Sequence, residues 1–169
     1  MNKKTGKPAL TGLFVGSFDP FTIGHEAIVR RALPLFDRLV IGIGVNPAKQ
    51  CSQPASLRRD AIARLYAGDG RVEVVEYTGL TAELAREVGA QFIVKGVRTA
   101  DDFDYERQQA DFNRARSGVE TLLLMAEPEL RNVSSTLVRA MRKEGKDTRH
   151  LVPVEAVGER FENLKTDDQ

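Results

Sequence analysis

The sequence has 169 residues and a mass of 18.7 kDa, which is the usual length of one domain. Its 25 Lys and Arg residues balance 24 Asp and Glu residues, so the net charge of +1 gives no reason to expect a nucleic acid or an anionic membrane as a partner. One cysteine, Cys51, excludes an internal disulfide bond, and two histidines, His25 and His150, are too few for most multi-histidine metal sites.

Short apolar runs alternate with helix-length segments along the chain. Ser56 is the expected N-cap of the second helix, and Gly89 is the expected C-terminal cap of the third. The predicted elements are, in order, a strand at residues 9–15, a helix at 24–35, a strand at 38–45, a loop at 46–54, a helix at 56–66, a strand at 71–77, a helix at 81–88, a strand at 91–94, a helix at 101–116, a strand at 119–125, a helix at 134–143 and a last helix after Pro153.

This alternation predicts an α/β fold, because repeated βαβ units build a parallel sheet with helices on both faces. We therefore expect a single Rossmann-like domain with a five-stranded parallel sheet at residues 9–164. A flexible lead at residues 1–8 and a loose tail at 165–169 would flank it. Ligands bind at the carboxyl ends of the strands in such a fold, so the residues that follow each strand are the candidates for function.

No segment reaches the roughly 18 uninterrupted apolar residues of a membrane span. The basic start of the chain is followed by an apolar stretch that is too short for a signal peptide, since Gly12 and Asp19-Pro20 interrupt it. We expect a cytoplasmic protein.

The segment after the first strand contains the strongest motif, Gly16-Ser17-Phe18-Asp19-Pro20-Phe21-Thr22-Ile23-Gly24-His25. It differs from the dinucleotide fingerprint of three spaced glycines, but it opens a helix. A helix N-terminus offers free N–H groups and a partial positive charge, which favour phosphate, and His25 can donate to a phosphate oxygen. The alternative is that His25 only caps the helix and Asp19-Pro20 only makes a turn; the surrounding motif favours a phosphate site.

This motif resembles the T/HxGH signature of the nucleotidylyltransferase superfamily, and its spelling is similar to that of the phosphopantetheine adenylyltransferase family. Thr22 stands where other members of the superfamily have the first His. Further motifs of the family follow in the same order over roughly residues 9–160: Asn46-Pro47-Ala48-Lys49, Ile93-Val94-Lys95-Gly96-Val97-Arg98, Asp102-Phe103-Asp104-Tyr105-Glu106, Val133-Ser134-Ser135-Thr136-Leu137-Val138-Arg139 and Leu151-Val152-Pro153.

The resemblance implies that ATP and 4′-phosphopantetheine react to give dephospho-coenzyme A and pyrophosphate, a step of coenzyme A biosynthesis. The acceptor phosphate would attack the α-phosphorus of ATP in line, with no covalent intermediate. A phosphate is already a nucleophile, so catalysis would rest on positioning and on stabilisation of charge rather than on a general base. The resemblance also implies Mg²⁺ held through the phosphates, a homohexamer, and coenzyme A as a feedback ligand.

The same resemblance implies roles for individual residues. His25 would stabilise the transition state, with Lys49 and Arg98 as further catalytic residues. The acceptor would bind to Ser17, Lys49, Thr81 and Lys95. The implied ATP-binding set is Ser17, Phe18, His25, Gly96, Val97, Arg98, Glu106, Leu130, Arg131, Asn132, Val133, Ser134, Ser135 and Thr136.

Several of these residues have structural alternatives. Lys49 alone would be interpreted as a solvated loop lysine, and Arg98 could pair with Asp101 or Asp102 at the surface. Ser134 could be only an N-cap, a role that is compatible with phosphate binding. The aromatic residues of the fourth helix, Phe103, Tyr105 and Phe112, are expected in the core. Cys51 is interpreted as incidental and His150 as a surface or interface residue.

Two residues depart from the family pattern. Lys95 stands where Arg is usual, which keeps the charge but loses the bidentate fork. Ser17 stands where Thr is usual, which keeps the hydroxyl and loses a methyl group.

Other functions stay open at this point. Nicotinamide mononucleotide adenylyltransferase and glycerol-3-phosphate cytidylyltransferase have the same helix-start chemistry, but their usual first His is absent here. A catalytically inactive nucleotide-binding regulator is the alternative from another class, and the presence of His25 and Lys49 counts against it. The sequence has no basic stripe with interleaved aromatic residues that would indicate nucleic-acid binding.

Overall fold

The computed structural model describes residues 8–154. The strands are β1 (Thr11–Gly16), β2 (Arg38–Gly44), β3 (Val72–Tyr77), β4 (Phe92–Val97) and β5 (Glu120–Met125). The α-helices of this part of the chain are α1 (Ile23–Ala32), α2 (Ala55–Leu65), α3 (Thr81–Glu87), α4 (Ala100–Ser117) and α5 (Ser135–Lys143). The helix predicted after Pro153, residues 1–7 of the lead and the tail at 165–169 lie outside the described residues.

The strands form one parallel sheet in the order β3-β2-β1-β4-β5, which confirms the predicted α/β architecture. Alternate side chains of β1 enter two different cores. Phe14 packs with Ile28 and Ile62 of α1 and α2 on one face, whereas Leu13 packs with Leu84 of α3 on the other. After their first residues, Thr11 and Arg38, β1 and β2 contain only apolar residues and glycine, because helices cover both of their faces.

Several element ends differ from the sequence prediction. Ser56 is not an N-cap, because α2 begins one residue earlier and the Pro54 carbonyl accepts from the Arg58 N–H at 3.2 Å. The first helix ends at Ala32 and continues as a 3₁₀ turn at Leu33–Leu35, where Pro34 has no N–H to extend the α-helical ladder. Gly89 follows α3 with a φ of 68°, as expected of a terminating glycine.

The aromatic residues of α4 correct another expectation. Phe103, Tyr105 and Phe112 are 44%, 60% and 43% exposed, so they are not core residues of this chain. The helix is long, and it contacts α3, β4 and β5 along one side while much of its surface faces solvent. Across residues 8–154 no helix combines the length and the apolar character that crossing a bilayer requires.

The order of the strands determines where a ligand can bind. β1 lies at the centre, the chain passes from it to β2 on one side, and β4 occupies the other side. Connections that leave a central strand in opposite directions open a crevice at its carboxyl end. The motif of residues 16–25 begins at this point.

Candidate active site

A cavity of about 320 Å³ lies at the carboxyl ends of β1 and β4, bounded by the starts of α1 and α5 and by α4. Most residues that the sequence predicts for the site line it: Ser17, Phe18, His25, Lys95, Gly96, Arg98, Glu106, Leu130, Val133, Ser134, Ser135 and Thr136. The other lining residues were not in the predicted binding set; they are Phe14, Val15, Gly16, Thr22, Gly24, Ile28, Asp102 and Ala126.

Five predicted residues do not line this cavity: Lys49, Thr81, Val97, Arg131 and Asn132. Lys49 lies in the exposed loop after β2, and Thr81 begins α3, where its hydroxyl is 3.0 Å from the hydroxyl of Tyr77. Val97 is fully buried at the end of β4. Their predicted roles in binding stay predictions.

His25 is held at the first turn of α1 by the N-cap residue Thr22. The Thr22 N–H donates to Nδ1 of His25 at 3.0 Å, and the Thr22 hydroxyl lies 3.0 Å from the same nitrogen. The His25 N–H in turn donates to Thr22 Oγ1 at 3.4 Å. Because Nδ1 accepts a main-chain hydrogen bond, we assign the proton of the neutral ring to Nε2. His25 therefore has an N–H donor on the ring edge away from Thr22.

Three aromatic rings surround the imidazole. The ring centroids of Phe18 and Phe21 lie 5.1 Å and 5.4 Å from that of His25, and the centroid of Phe14 lies 6.3 Å away. This burial, with a smaller contribution from the positive charge of Arg98, lowers the pKa of His25 to about 4. His25 is consequently a neutral hydrogen-bond donor at physiological pH.

The loop after β1 is tightly packed. Phe18 has a φ of 48°, in the left-handed region that residues other than glycine seldom adopt. A Cβ atom at Gly16 would lie 2.9 Å from Cε1 of the Phe18 ring, so a larger residue would displace that ring. Strained backbone of this kind often occurs at functional sites, where the surrounding packing holds it in place.

The cavity contains two cations, and each is paired with a carboxylate of α4. The ammonium of Lys95 is 3.2 Å from Oε2 of Glu106, and both side chains are mostly buried. Nε of Arg98 donates to Oδ2 of Asp102 at 2.9 Å, and Nη2 donates to Oδ1 at 3.2 Å. Burial opposes ionisation of Asp102, but the hydrogen bonds from Arg98 outweigh it and lower the pKa of this carboxyl. Both carboxylates are one helical turn apart, at the wall of the cavity.

The N-terminus of α5 forms another part of the wall. Ser134 caps the helix, accepting from the Leu137 N–H at 3.1 Å, which confirms the predicted cap. Ser135 Oγ donates to the Pro20 carbonyl at 2.8 Å and so joins α5 to the loop after β1. Two helix N-termini, those of α1 and α5, thus lie at one cavity, an arrangement that favours anionic groups.

Sequence reasoning gave Thr22 no role in holding His25, and it offered Asp102 only as a possible surface partner of Arg98. Thr22 holds the ring of His25. The sequence feature that could have indicated this contact is the capping-box spacing, in which the N-cap threonine lies three residues before His25 at position N3. Asp102 binds the guanidinium of Arg98, and the signal was the i,i+4 spacing. The sequence analysis considered this pair as a surface ion pair, whereas in the structure both residues line the cavity.

The fold and the cavity are those of a nucleotidyltransferase, and the comparisons agree. A family model described as cytidylyltransferase-like matches residues 13–141. A phosphopantetheine adenylyltransferase of Phocaeicola vulgatus is 50% identical over 141 residues, which cover 83% of this chain and 93% of that protein. Enzymes of the same name from Bacteroides thetaiotaomicron and Leuconostoc citreum are 48% and 42% identical and cover 83% and 80% of this chain. The chain belongs to the phosphopantetheine adenylyltransferase family.

Proposed function

We propose that the protein transfers the adenylyl group of ATP to 4′-phosphopantetheine, giving dephospho-coenzyme A and pyrophosphate. The observation that carries the proposal is the neutral His25, whose Nδ1 is occupied by Thr22 and whose Nε2–H is available at a cavity between two helix N-termini. Such a donor suits a reaction in which negative charge builds up on phosphate oxygens.

In the proposed reaction an oxygen of the acceptor phosphate forms a bond to the α-phosphorus of ATP. The bond from that phosphorus to the bridging oxygen of the β-phosphate breaks, and pyrophosphate leaves with the electron pair. His25 donates a hydrogen bond from Nε2 to a non-bridging oxygen of the α-phosphate. The attacking oxygen is already ionised, so no protein group needs to remove a proton.

The remaining residues bind and orient the two substrates. On the acceptor side we assign Ser17 and Lys95 at the cavity, with Lys49 and Thr81 farther out. Arg98 and the start of α5 hold the β- and γ-phosphates, and Glu106 contacts the nucleotide. The adenine is bound by the main chain around Gly96 and Val97 and by residues 130–133.

We place Mg²⁺ on the phosphates of the substrates rather than in a protein site. Among residues 8–154 no group of three or more His, Cys, Asp and Glu side chains could hold a metal ion. The two carboxylates of the cavity, Asp102 and Glu106, already face Arg98 and Lys95. The ion would neutralise charge on the phosphates, and the residues of this chain would bind the complex.

We further propose that the chain assembles as a homohexamer in the cytoplasm and that coenzyme A competes with 4′-phosphopantetheine. The exposed aromatic residues of α4, Phe103, Tyr105 and Phe112, support assembly, because such side chains are unfavourable in water. A light-scattering mass of six times the 18.7 kDa chain is expected.

Coenzyme A should raise the KM for 4′-phosphopantetheine, and failure to compete would refute the shared site. We expect neither nucleic acid nor membrane as a partner.

The primary test is pyrophosphate release from the purified protein with ATP and Mg²⁺. The acceptors are 4′-phosphopantetheine, nicotinamide mononucleotide and glycerol 3-phosphate, with CTP replacing ATP in a parallel set. We expect release only with ATP and 4′-phosphopantetheine. Turnover with another acceptor would overturn the specificity but keep the chemistry, and no turnover by folded protein that binds ATP would indicate a regulator.

A further inference from the structure

The loop between β2 and α2 carries Lys49, and its second half is bound to Asp19 of the loop after β1. The Ser52 N–H donates to Oδ2 of Asp19 at 2.7 Å, and Ser52 Oγ donates to Oδ1 at 2.5 Å. Asp19 is only 4% exposed, whereas Ser52 is exposed. A buried carboxylate needs hydrogen-bond donors, and here the exposed loop supplies two of them.

A second contact joins the same two loops. Arg58 of α2 is 4% exposed, and its Nε donates to the carbonyl of Gln53 at 3.1 Å. Its Nη1 donates to the carbonyl of Ser17. The buried guanidinium of Arg58 thus joins the main chain of the Lys49 loop, at Gln53, to the main chain of the loop after β1, at Ser17. Burying a cation is costly unless it is hydrogen-bonded, so the free energy of this arrangement depends on both loops keeping their positions.

The first half of the Lys49 loop is fixed separately, by Asn46. Its side-chain Oδ1 accepts from the Ala48 N–H at 2.9 Å, and its carbonyl accepts from the Lys49 N–H at 3.0 Å. Lys49 therefore lies between two held points, the turn at Asn46 and the bonds at Ser52. The loop after β1, to which these contacts attach it, carries Ser17, which lines the cavity.

We propose that Asp19 and Arg58 are positioning residues, which clamp the Lys49 loop to the loop that carries Ser17. Neither side chain lines the cavity. The clamp sets where the lysine stands relative to Ser17 and His25, and so determines how well the acceptor phosphate is bound. This inference rests on the proposed function, because it concerns the binding of an acceptor phosphate.

The state of the clamp can be measured without any substrate. Cys51 is the chain's single cysteine, is half-buried and adjoins Ser52, so its rate of alkylation reports the opening of the loop. We expect Ser52→Ala and Asp19→Asn to raise this rate, for Asp19→Asn by about tenfold. The matched control is Ser56→Ala, at an exposed serine on the first turn of α2. Unchanged alkylation in both variants would overturn the clamp.

The kinetic consequence separates positioning from general stability. We expect Arg58→Gln to raise the KM for 4′-phosphopantetheine by about tenfold and to leave the KM for ATP within about twofold. Arg59→Gln is the control, because the neighbouring Arg59 is only half-buried and pairs with Asp60 and Glu76. If Arg58→Gln fails to fold, Ser52→Ala gives the same KM test at an exposed position.

The outcomes distinguish the two proposals. Equal changes in both KM values, or none, in an active protein would overturn the clamp and leave the proposed function standing. An inactive wild-type protein would refute the proposed function, and the alkylation rates of Cys51 would still decide whether the clamp exists.

Discussion

The Thr22 main-chain N–H lies 3.0 Å from Nδ1 of His25, and this contact determines which nitrogen of the ring carries the proton. The Thr22 hydroxyl adds a second contact to the same nitrogen. Nε2 is thereby left as the donor that the proposed reaction needs. In many members of the superfamily a histidine stands at the first position of the signature, and here the threonine at that position is the N-cap of α1.

Replacing Thr22 tests this arrangement. Thr22→Val keeps the shape and the main-chain N–H but removes the hydroxyl that caps the helix and contacts Nδ1. We expect a loss of about 1 kcal/mol in the free energy of unfolding and a fall in kcat of about tenfold. Thr22→Ser, which keeps the hydroxyl, should restore both. A Val variant with the kcat of the wild type would show that the hydroxyl has no part in orienting His25.

Removal of His25 tests its proposed role directly. His25→Ala should lower kcat by roughly 10²–10³-fold, as expected when one donor to a developing anionic oxygen is lost. The KM for ATP should change much less, because the donor acts mainly in the transition state. Steady-state pyrophosphate release measures both constants. Wild-type turnover by a folded His25→Ala variant would make His25 a structural residue only.

Burial of His25 also predicts how stability depends on pH. The pKa is about 4 in the folded protein, against 6.5 for an unperturbed histidine, so the unfolded chain binds the proton more readily. The stabilising contribution is complete above pH 6.5 and is lost as the pH falls towards 4, by at most about 3 kcal/mol. Urea titrations of the wild type and of His25→Gln should converge over this interval. A constant difference between the two proteins would contradict the lowered pKa.

The pair of Lys95 and Glu106 predicts a coupled effect on substrate binding. Lys95→Met removes a cation and leaves the mostly buried Glu106 without its charge partner. The unpaired carboxylate would then repel the phosphate that we propose binds at this site. We expect the KM for 4′-phosphopantetheine to rise by about 30-fold, and Glu106→Gln in the same chain to recover part of that loss. A double-mutant cycle measures the coupling. Additive effects would show that the two side chains act independently.

Gly96 lies on the wall of the cavity beside Ile28. A Cβ atom there would be 3.0 Å from Cγ1 of Ile28, so Gly96→Ala should cost about 1–2 kcal/mol in the free energy of unfolding and raise the KM for ATP. Gly68→Ala is the control, because nothing lies within 4 Å of the added methyl group. Thermal and urea unfolding give the comparison. Equal stability of the two variants would mean that Ile28 moves aside freely.

The fold could be predicted from the sequence because its signals are local. Apolar runs such as residues 38–45 mark strands that are covered on both faces, and glycines such as Gly89 mark the ends of helices. The start of α2 could not be placed in this way. Ser56 has the side chain of a cap, but Pro54, two residues earlier, takes the N-cap position with its fixed φ, and its carbonyl accepts from the Arg58 N–H.

Motifs identified most residues of the cavity, and Asp102 was one of two possible partners for Arg98, but the sequence did not show how these partners are arranged at the cavity. His25 and Arg98 were recognised as donors, whereas the contacts that orient them, from Thr22 and Asp102, follow from helix geometry that becomes specific only when the side chains are placed. The exposure of Tyr105 shows a different limit. An aromatic residue predicts burial, but the sequence does not say whether the same chain or a second copy covers it.

The pairing of charges in the cavity has a consequence for how fast substrates arrive. Among the described residues that line it, Lys95 and Arg98 are balanced by Asp102 and Glu106, and His25 is neutral. A polyanion approaching from a distance therefore meets little net field from these four side chains, so they should contribute little to its long-range attraction or to the dependence of that attraction on ionic strength. Capture then depends on exchange at close range, in which the phosphates replace carboxylates as the partners of the two cations.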